Sequence, residues 1–275
     1  MLRKLFIFFS FCFIFLFSAC VSRPVVSAED EALLYPVATY VPESFDWQEV
    51  YNDEGVVSGV WCFDYENKEL PLIYHAVKID LSLAQLKICC SQWENTADFA
   101  KREACVVAMN ATPFGKNGLA GIYKVGGEVL SWPVSRYSAL ALNCDEQGVV
   151  YEARIIVNQT DAALKDYDYA FGGFFTVLEN GGVLQEFIRR CDSRSGTGIS
   201  ADGKTLYLLA VEGEWISKSI GLSYPQCGEI FRAMGCSDAM EFDGGDSSDL
   251  CINGRSVLSY NVRRIQGNSF GLIRR

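Results

Sequence analysis

The stretch "AMEFDGGDSSDLCING", residues 239–254, decides how this chain is expected to fold around a site. One apolar run ends at Phe242 and another begins at Leu250, so we expect two strands joined by a turn. The adjacent glycines Gly244 and Gly245 allow positive φ and a close approach to a ligand, and successive N–H groups in such a turn can bind an anion. The alternative is a hairpin turn whose aspartates and serines bind only local backbone groups.

Several narrower interpretations of this loop fail on spacing. Asp243, Asp246 and Asp249 are three residues apart, which does not fit the alternating ligands of an EF-hand. "GDSSD" lacks the final glycine of G-x-S-x-G, and a serine-protease triad needs a histidine base. The only histidine, His75, lies in an alternating run typical of a strand, where packing in the sheet is its expected role. Chemistry at the loop would therefore depend on carboxylates, arginine and the backbone.

Alternating apolar and polar residues dominate the rest of the chain, as in "LIYHAVKIDLSLAQLKICC" (72–90) and "GVVYEARIIVN" (148–158). Only two segments favour helices. "NTADFAKREA" (95–104) begins with a polar cap candidate, and "SYPQCGEIFRAMG" (223–235) has Ser223 at its start and Gly235 at its end. The sequence predicts an α+β fold, a β-rich single domain over residues 36–275 with a mixed or antiparallel sheet and a few helices.

The N-terminus has the pattern of an export signal. Arg3 and Lys4 precede the apolar run "LFIFFSFCFIFLF", which "FSAC" follows, so residues 1–19 are interpreted as a signal peptide. The small residues before Cys20 resemble a bacterial lipobox, which predicts lipidation of Cys20 and an unfolded tether over residues 20–35. This predicts an exported, membrane-anchored lipoprotein, periplasmic or on the surface. The alternatives are simple cleavage after Ala19 or an uncleaved anchor, for which the run is short of the roughly 20 residues of a span.

Charge and cysteine spacing exclude several classes of function. The formal net charge is −10, and it becomes −12 once Arg3 and Lys4 are removed, so nucleic acid is an unfavourable partner. Nine cysteines remain beyond Cys12 and Cys20, and none forms a C-x-x-C pair. That spacing disfavours a zinc ribbon or a thioredoxin-like redox motif.

Two further segments carry candidate site residues. In "RRCDSRSGTGISADG" (189–203), Arg194 precedes a predicted strand, where its guanidinium could bind phosphate or carboxylate through two hydrogen bonds. The alternative is a surface arginine paired with Asp192. In "VVAMNATPFGKNGLAGIY" (106–123), a strand ends at Asn110, whose amide could bind a polar ligand or cap a turn.

Taken in order, these motifs resemble the phosphodiester glycosidase family over about residues 70–275. The resemblance is carried by "MNATPF", by "RSGTG" before the strand "TLYLLAVEG", and by a helix ending in Gly-Cys before "EFDGGDSS". Four features depart from the family pattern. Asp246 replaces a third glycine, Ser195 replaces threonine, Ala-Thr-Pro follows Asn110, and Glu212 stands in "VEG" where the family has aspartate.

The resemblance implies a hydrolase that cleaves a glycosyl phosphodiester in cell-envelope or scavenged glycans. It implies catalytic roles for three residues: Asp243 facing the sugar as base or stabiliser, Arg194 on the phosphate, and Asn110 on a sugar hydroxyl or the phosphate. The substrate-binding positions it implies are Gly244, Gly245, Asp246, Ser247, Ser248 and Phe114. The resemblance implies no certain cofactor; a divalent cation that offsets the charge of Asp246 is left open, and its ligands are unknown. The alternative function is a non-catalytic surface lipoprotein that binds an anionic glycan or a protein partner.

Overall fold

The computed structural model describes residues 36–185 and 190–275. The predicted signal peptide, the lipidation site Cys20 and the tether lie outside the described residues. Within the described ranges, no helix is both long enough and apolar enough to span a membrane.

The largest sheet has eight strands, and each neighbouring pair in it is antiparallel. In spatial order its strands are β1 (Gln48–Asn52), β2 (Gly55–Asn67), β3 (Leu72–Asp80), β16 (Thr205–Val211), β15 (Arg194–Ile199), β17 (Asp238–Glu241), β13 (Thr176–Glu179) and β14 (Gly182–Val183). His75 lies in β3, in the sheet as its sequence pattern predicts.

Two five-stranded sheets and one short ribbon complete the β-structure of the described ranges, again with antiparallel pairing. The second sheet contains β11 (Val150–Ile156), β10 (Ala139–Cys144), β12 (Tyr169–Gly172), β8 (Tyr123–Val125) and β9 (Glu128–Ser131). The third contains β19 (Arg255–Ser256), β18 (Leu250–Ile252), β5 (Val107–Asn110), β20 (Gln266–Ile273) and β4 (Lys87–Glu94). The ribbon pairs β6 (Phe114–Gly115) with β7 (Gly118–Leu119).

All three large sheets contribute to one apolar core. Val77 of β3, Met109 of β5 and Leu140 of β10 belong to the same cluster of buried side chains and have no exposed surface. Burial of apolar surface drives folding, so the sheets stabilise one another across this shared cluster. The β-rich, antiparallel arrangement confirms that part of the sequence-based prediction.

The described helices are α1 (Leu81–Ala84), α2 (Thr96–Arg102), α3 (Asp161–Leu164) and α4 (Tyr224–Met234). Both predicted helices are present, and the one-turn helices α1 and α3 were not predicted. The Asn95 side chain caps α2 by accepting hydrogen bonds from the N–H groups of residues 97 and 98. Ser223 and Gln226 form a capping box at the start of α4, and Gly235 ends that helix at φ +100°.

The decisive stretch joins two different sheets. β17 lies in the eight-stranded sheet and β18 in the third sheet, so the connection between them is not a hairpin turn. β15, which begins at Arg194, pairs with β17, and β5, which ends at Asn110, pairs with β18. The three sequence motifs therefore meet where the two sheets adjoin.

Candidate active site

The connection between β17 and β18 is a tight turn, which we call the acidic turn (residues 243–249). It contains a short 3-10 helix over Gly245–Ser247, and Gly245 has a φ of +61°, a conformation that favours glycine. The N–H of Asp243 donates to the carbonyl of Ala111 over 2.9 Å, and the N–H of Gly245 donates to the carbonyl of Ser193 over 3.0 Å. The Gly245 amide thus binds the backbone in this structure rather than facing a ligand.

Asn110 is fully buried and connects the acidic turn to the two sheets. Its Nδ2 donates to the carbonyl of Asp243 over 2.7 Å. Its Oδ1 accepts from the Ser195 hydroxyl over 2.8 Å and from the N–H of Asp249 over 3.0 Å. These bonds position the backbone of the catalytic candidate, and direct contact of Asn110 with substrate stays a prediction.

Asp243 has the electrostatics of a candidate base. Burial raises the pKa of its carboxyl to about 6, while a hydrogen bond with Ser247 and the positive charge of Arg264 act in the opposite direction. The negative charge of Asp246 adds a smaller upward contribution to that pKa. At neutral pH such a carboxylate is mostly ionised and more basic than an ordinary aspartate.

The charge of Asp246 is compensated by an arginine that the sequence motifs did not reveal. Asp246 is exposed, and its Oδ2 accepts a hydrogen bond from Arg264 Nη1 over 2.7 Å. The Arg264 guanidinium also lies over the Phe114 ring, 5.0 Å from the ring centroid. The predicted site residues Asp246 and Phe114 are thus brought together through Arg264.

Arg194 lies beside the acidic turn but is internal, with 6% of its surface exposed. Its Nε donates to the carbonyl of Leu222 over 2.8 Å, and its Nη2 donates to the carbonyl of Arg190 over 2.5 Å. The guanidinium covers the ring of Tyr224 at 4.6 Å. Its predicted contact with phosphate stays a prediction, because these groups already occupy much of the side chain.

A buried carboxyl lies near Arg194. Glu241, the last residue of β17, is 1% exposed, and in the part of the chain that the structure describes its carboxyl has no strong hydrogen-bond donor and only the weak thiol donor of Cys227. Burial raises the pKa of Glu241 to about 7, although the positive charge of Arg194 opposes that shift. Glu241 is therefore partly protonated at neutral pH and depends on Arg194 when it is ionised.

The last three residues of the acidic turn, Ser247, Ser248 and Asp249, are buried. Ser247 and Ser248 are each 1% exposed, and the carbonyl of Ser247 accepts from Gln266 Nε2 over 3.0 Å. Burial raises the pKa of Asp249 to about 6, even though the Ser256 hydroxyl donates to this carboxyl over 2.6 Å. The substrate contacts predicted for Ser247 and Ser248 remain predictions.

A groove of about 700 Å³ opens beside the acidic turn. Its walls are formed by Glu214, Trp215, Asp246, Tyr260, Asn261, Val262, Arg263 and Arg264. Asp246 belongs to both the acidic turn and the groove, and Arg264, which binds Asp246, lines the groove as well. Pockets of this kind, with aromatic walls and a few charged groups, are typical of ligand sites.

Glu212, which departs from the family pattern, has a structural role. Its Oε1 lies 3.2 Å from Nε2 of His75 and accepts from the N–H of Ser259 over 2.6 Å. The other ring nitrogen of His75 lies 2.6 Å from Asp64. Burial alone would raise the pKa of Glu212, but these hydrogen bonds give a net lowering. Among the described residues, no group of three His, Cys, Asp or Glu side chains is arranged to hold a metal ion.

The sequence profile of the phosphodiester glycosidase family matches residues 103–272. The chain belongs to the phosphodiester glycosidase family. The matched segment includes Asn110, Arg194 and the acidic turn, so the residues brought together at the sheet junction lie within the family domain. No curated protein matches the chain in a sequence comparison.

Three solved structures share the fold of this chain. The auto-inhibited catalytic domain of zebrafish N-acetylglucosamine-1-phosphodiester alpha-N-acetylglucosaminidase aligns with a TM-score of 0.62 at 14% identity, covering 84% of this chain and 89% of that one. A hypothetical protein from Synechocystis aligns with a TM-score of 0.63 at 13% identity, and the alignment covers 79% of this chain and 62% of that one. A protein of Burkholderia pseudomallei that is described as exported aligns with a TM-score of 0.55 at 13% identity, and the alignment covers 74% of each chain. At these identities the likeness shows the fold alone.

Proposed function

We propose that this phosphodiester glycosidase hydrolyses a glycosyl phosphodiester, releasing a free sugar and a phosphate monoester. The observation that carries the proposal is Asp243, a carboxyl whose pKa is raised by burial to about 6 and whose backbone is held by hydrogen bonds in the acidic turn. Membership of the family supports a reaction of this class. The sugar and the group beyond the phosphate are left to experiment.

The reaction needs one base and no strong acid. A water molecule attacks the anomeric carbon, and its proton passes to the Asp243 carboxylate. The bond between the anomeric carbon and the phosphate oxygen breaks, and its electron pair leaves with the phosphate. A phosphate monoester has a second pKa of about 6 and leaves already ionised, so the protonated carboxyl of ordinary glycosidases is less important here.

The surrounding residues keep Asp243 in place. Asn110 holds its carbonyl, and Ser247 binds its carboxyl, so the base has little freedom to rotate. Arg194 supplies positive charge from the protein interior, beside Gly244. Such preorganisation reduces the reorganisation that the reaction requires.

The proposal is tested by incubating the protein with UDP-N-acetylglucosamine and with the methyl phosphodiester of the same sugar in both anomeric forms. We expect free sugar and phosphate monoester in equal amounts from at least one diester. A nitrophenyl glycoside, which lacks phosphate, is the matched control and should react much more slowly. Binding of these diesters without any turnover would reject the hydrolase and favour the alternative function, a non-catalytic lipoprotein that binds an anionic glycan.

The pH dependence of turnover follows from Asp243. The base acts when ionised, so kcat/KM should fall below an apparent pKa of about 6 as the pH is lowered. Each further pH unit of acidification should lower the rate about tenfold. A profile that is flat from pH 7 to pH 4 would exclude Asp243 as the base.

We also propose that the protein is exported and anchored through a lipid on Cys20, on the basis of the sequence pattern ahead of that residue. Cys20→Ser should abolish the incorporation of a labelled fatty acid into the protein. Cys12→Ser, which changes a cysteine within the apolar run, is the control and should leave the labelling unchanged. Absence of fatty-acid labelling in the native protein would overturn lipidation and favour simple cleavage after Ala19 or an uncleaved anchor.

A further inference from the structure

Two arginines adjoin the acidic turn, and they differ in accessibility. Arg194 is internal, and two of its nitrogens donate to backbone carbonyls. The side chain of Arg264 is 40% exposed and lines the groove. In the described ranges, its bond to Asp246 is the one hydrogen bond that the Arg264 guanidinium makes. A guanidinium has five N–H donors, so most of the donors of Arg264 remain available to a ligand.

The position of Arg264 is fixed from several sides. Asp246 holds one nitrogen at 2.7 Å, and the Phe114 ring lies against the guanidinium at 5.0 Å. The buried amide of Asn95 donates to the carbonyl of Arg264 over 3.1 Å and to that of Val262 over 2.9 Å. The backbone at Arg264 is therefore tied to the start of α2, and the charged end of the side chain is held beside Asp246 in the wall of the groove.

We propose that Arg264 binds the phosphate of the substrate, and that Asp246 is a positioning residue that holds the Arg264 guanidinium beside Asp243. The inference rests on the proposed function and assigns its phosphate contact to a residue outside the family motifs. The ligand class is a phosphodiester or phosphate monoester anion, which the planar guanidinium can bind through two parallel hydrogen bonds. The cation that offsets Asp246 is then a side chain of the protein itself.

Asp246 could act on a bound anion only by repelling it, or by positioning Arg264. These two roles predict opposite changes in anion affinity when the charge of Asp246 is removed. If Asp246 acted only as a nearby negative charge, Asp246→Asn would strengthen the binding of an anion, because it removes a repulsion. If Asp246 positions Arg264, the same change frees a long side chain to adopt other rotamers, and anion binding weakens. Positioning predicts that binding becomes about 3 to 10 times weaker, since ordering one rotamer-rich side chain costs about 0.5–1.5 kcal/mol.

The experiment measures the equilibrium binding of N-acetylglucosamine 1-phosphate by calorimetry, with turnover of the methyl phosphodiester measured in parallel. Arg264→Ala should weaken binding about 10- to 100-fold, the range expected for charge-assisted hydrogen bonds. Arg264→Lys keeps the charge without the planar fork and should recover part of that loss. The matched control is Arg255→Ala, which removes another exposed arginine in the short strand β19 and should bind as the native protein does. Because Arg264 is partly exposed, melting temperatures should stay close to native.

Each outcome separates this inference from the proposed function. Native-like binding in Arg264→Ala, or tighter binding in Asp246→Asn, overturns the inference even if the protein is a hydrolase. Binding that depends on Arg264, with no turnover of any diester, supports the inference and rejects the hydrolase. Absence of binding of the sugar phosphate to the native protein overturns the inference directly.

Discussion

Asp243→Asn should release sugar about 10²- to 10⁴-fold more slowly than the native protein, the contribution typical of a positioned general base. Asparagine has nearly the same shape as aspartate, but it cannot accept the proton of the attacking water. The loss should appear in kcat rather than in substrate binding, because the phosphate contact is made elsewhere. The loss of rate is measured by steady-state kinetics with the best phosphodiester substrate, or by single-turnover kinetics with excess enzyme for the slow variant.

The control for this substitution is Asp166→Asn, since the Asp166 side chain is 83% exposed and belongs to the loop after α3. That variant should keep native rates. The melting temperature of Asp243→Asn should be close to native, or slightly higher, because a buried carboxyl has been replaced by a neutral group. If Asp243→Asn retained more than about a tenth of the native rate, Asp243 would not be the general base.

Arg194→Met should lower the free energy of unfolding by about 1–3 kcal/mol, the cost of leaving a buried polar group without its hydrogen-bond partner. Methionine keeps an unbranched, apolar stem of similar length, but it leaves Glu241 without its nearest positive charge and the carbonyls of Leu222 and Arg190 without a donor. Urea unfolding at pH 7.5, followed by circular dichroism, measures the change.

Two comparisons test this explanation. The double variant Arg194→Met/Glu241→Gln should recover part of the loss, because the buried ionisable group is gone.

The folded-state pKa of Glu241, about 7, lies above its ordinary value of 4.5. Its contribution to stability is therefore complete below about pH 4.5 and is lost as the pH rises through about 7. The defect of Arg194→Met should consequently be larger at pH 8 than at pH 5. An Arg194→Met protein that has native stability but fails to bind sugar phosphate would indicate that Arg194, rather than Arg264, binds the phosphate.

Local sequence rules predicted the parts of the fold that depend on neighbouring residues. Both capped helices were predicted, since Asn95 caps the first N–H groups of α2 and Ser223 forms a capping box with Gln226 at the start of α4. The paired glycines predicted a tight turn, and Gly245 does adopt positive φ. The same rules left open whether the turn joins a hairpin, because the destination of the next strand depends on tertiary packing.

The sequence was less informative about which side chains are available to a ligand. Arg194 has the same local pattern whether it faces solvent or lies on Tyr224, and residues 222–224 that enclose it are about thirty positions away. Arg264 belongs to none of the motifs, and its one sequence signal is an adjacent pair of arginines before the last strand. Its relation to Asp246 arises from the path of the backbone between β19 and β20, which no spacing rule describes.

The acidic turn connects one sheet to another, and this has a consequence for heat inactivation. Asn110 belongs to the third sheet, while Ser195 and Glu241 belong to the eight-stranded one, so the geometry around Asp243 exists only while the two sheets stay in register. Partial melting that separates the two sheets destroys the geometry around Asp243 together with the sheet structure. Residual activity after brief heating should therefore decline in parallel with the loss of β-sheet signal, and both curves should share one midpoint.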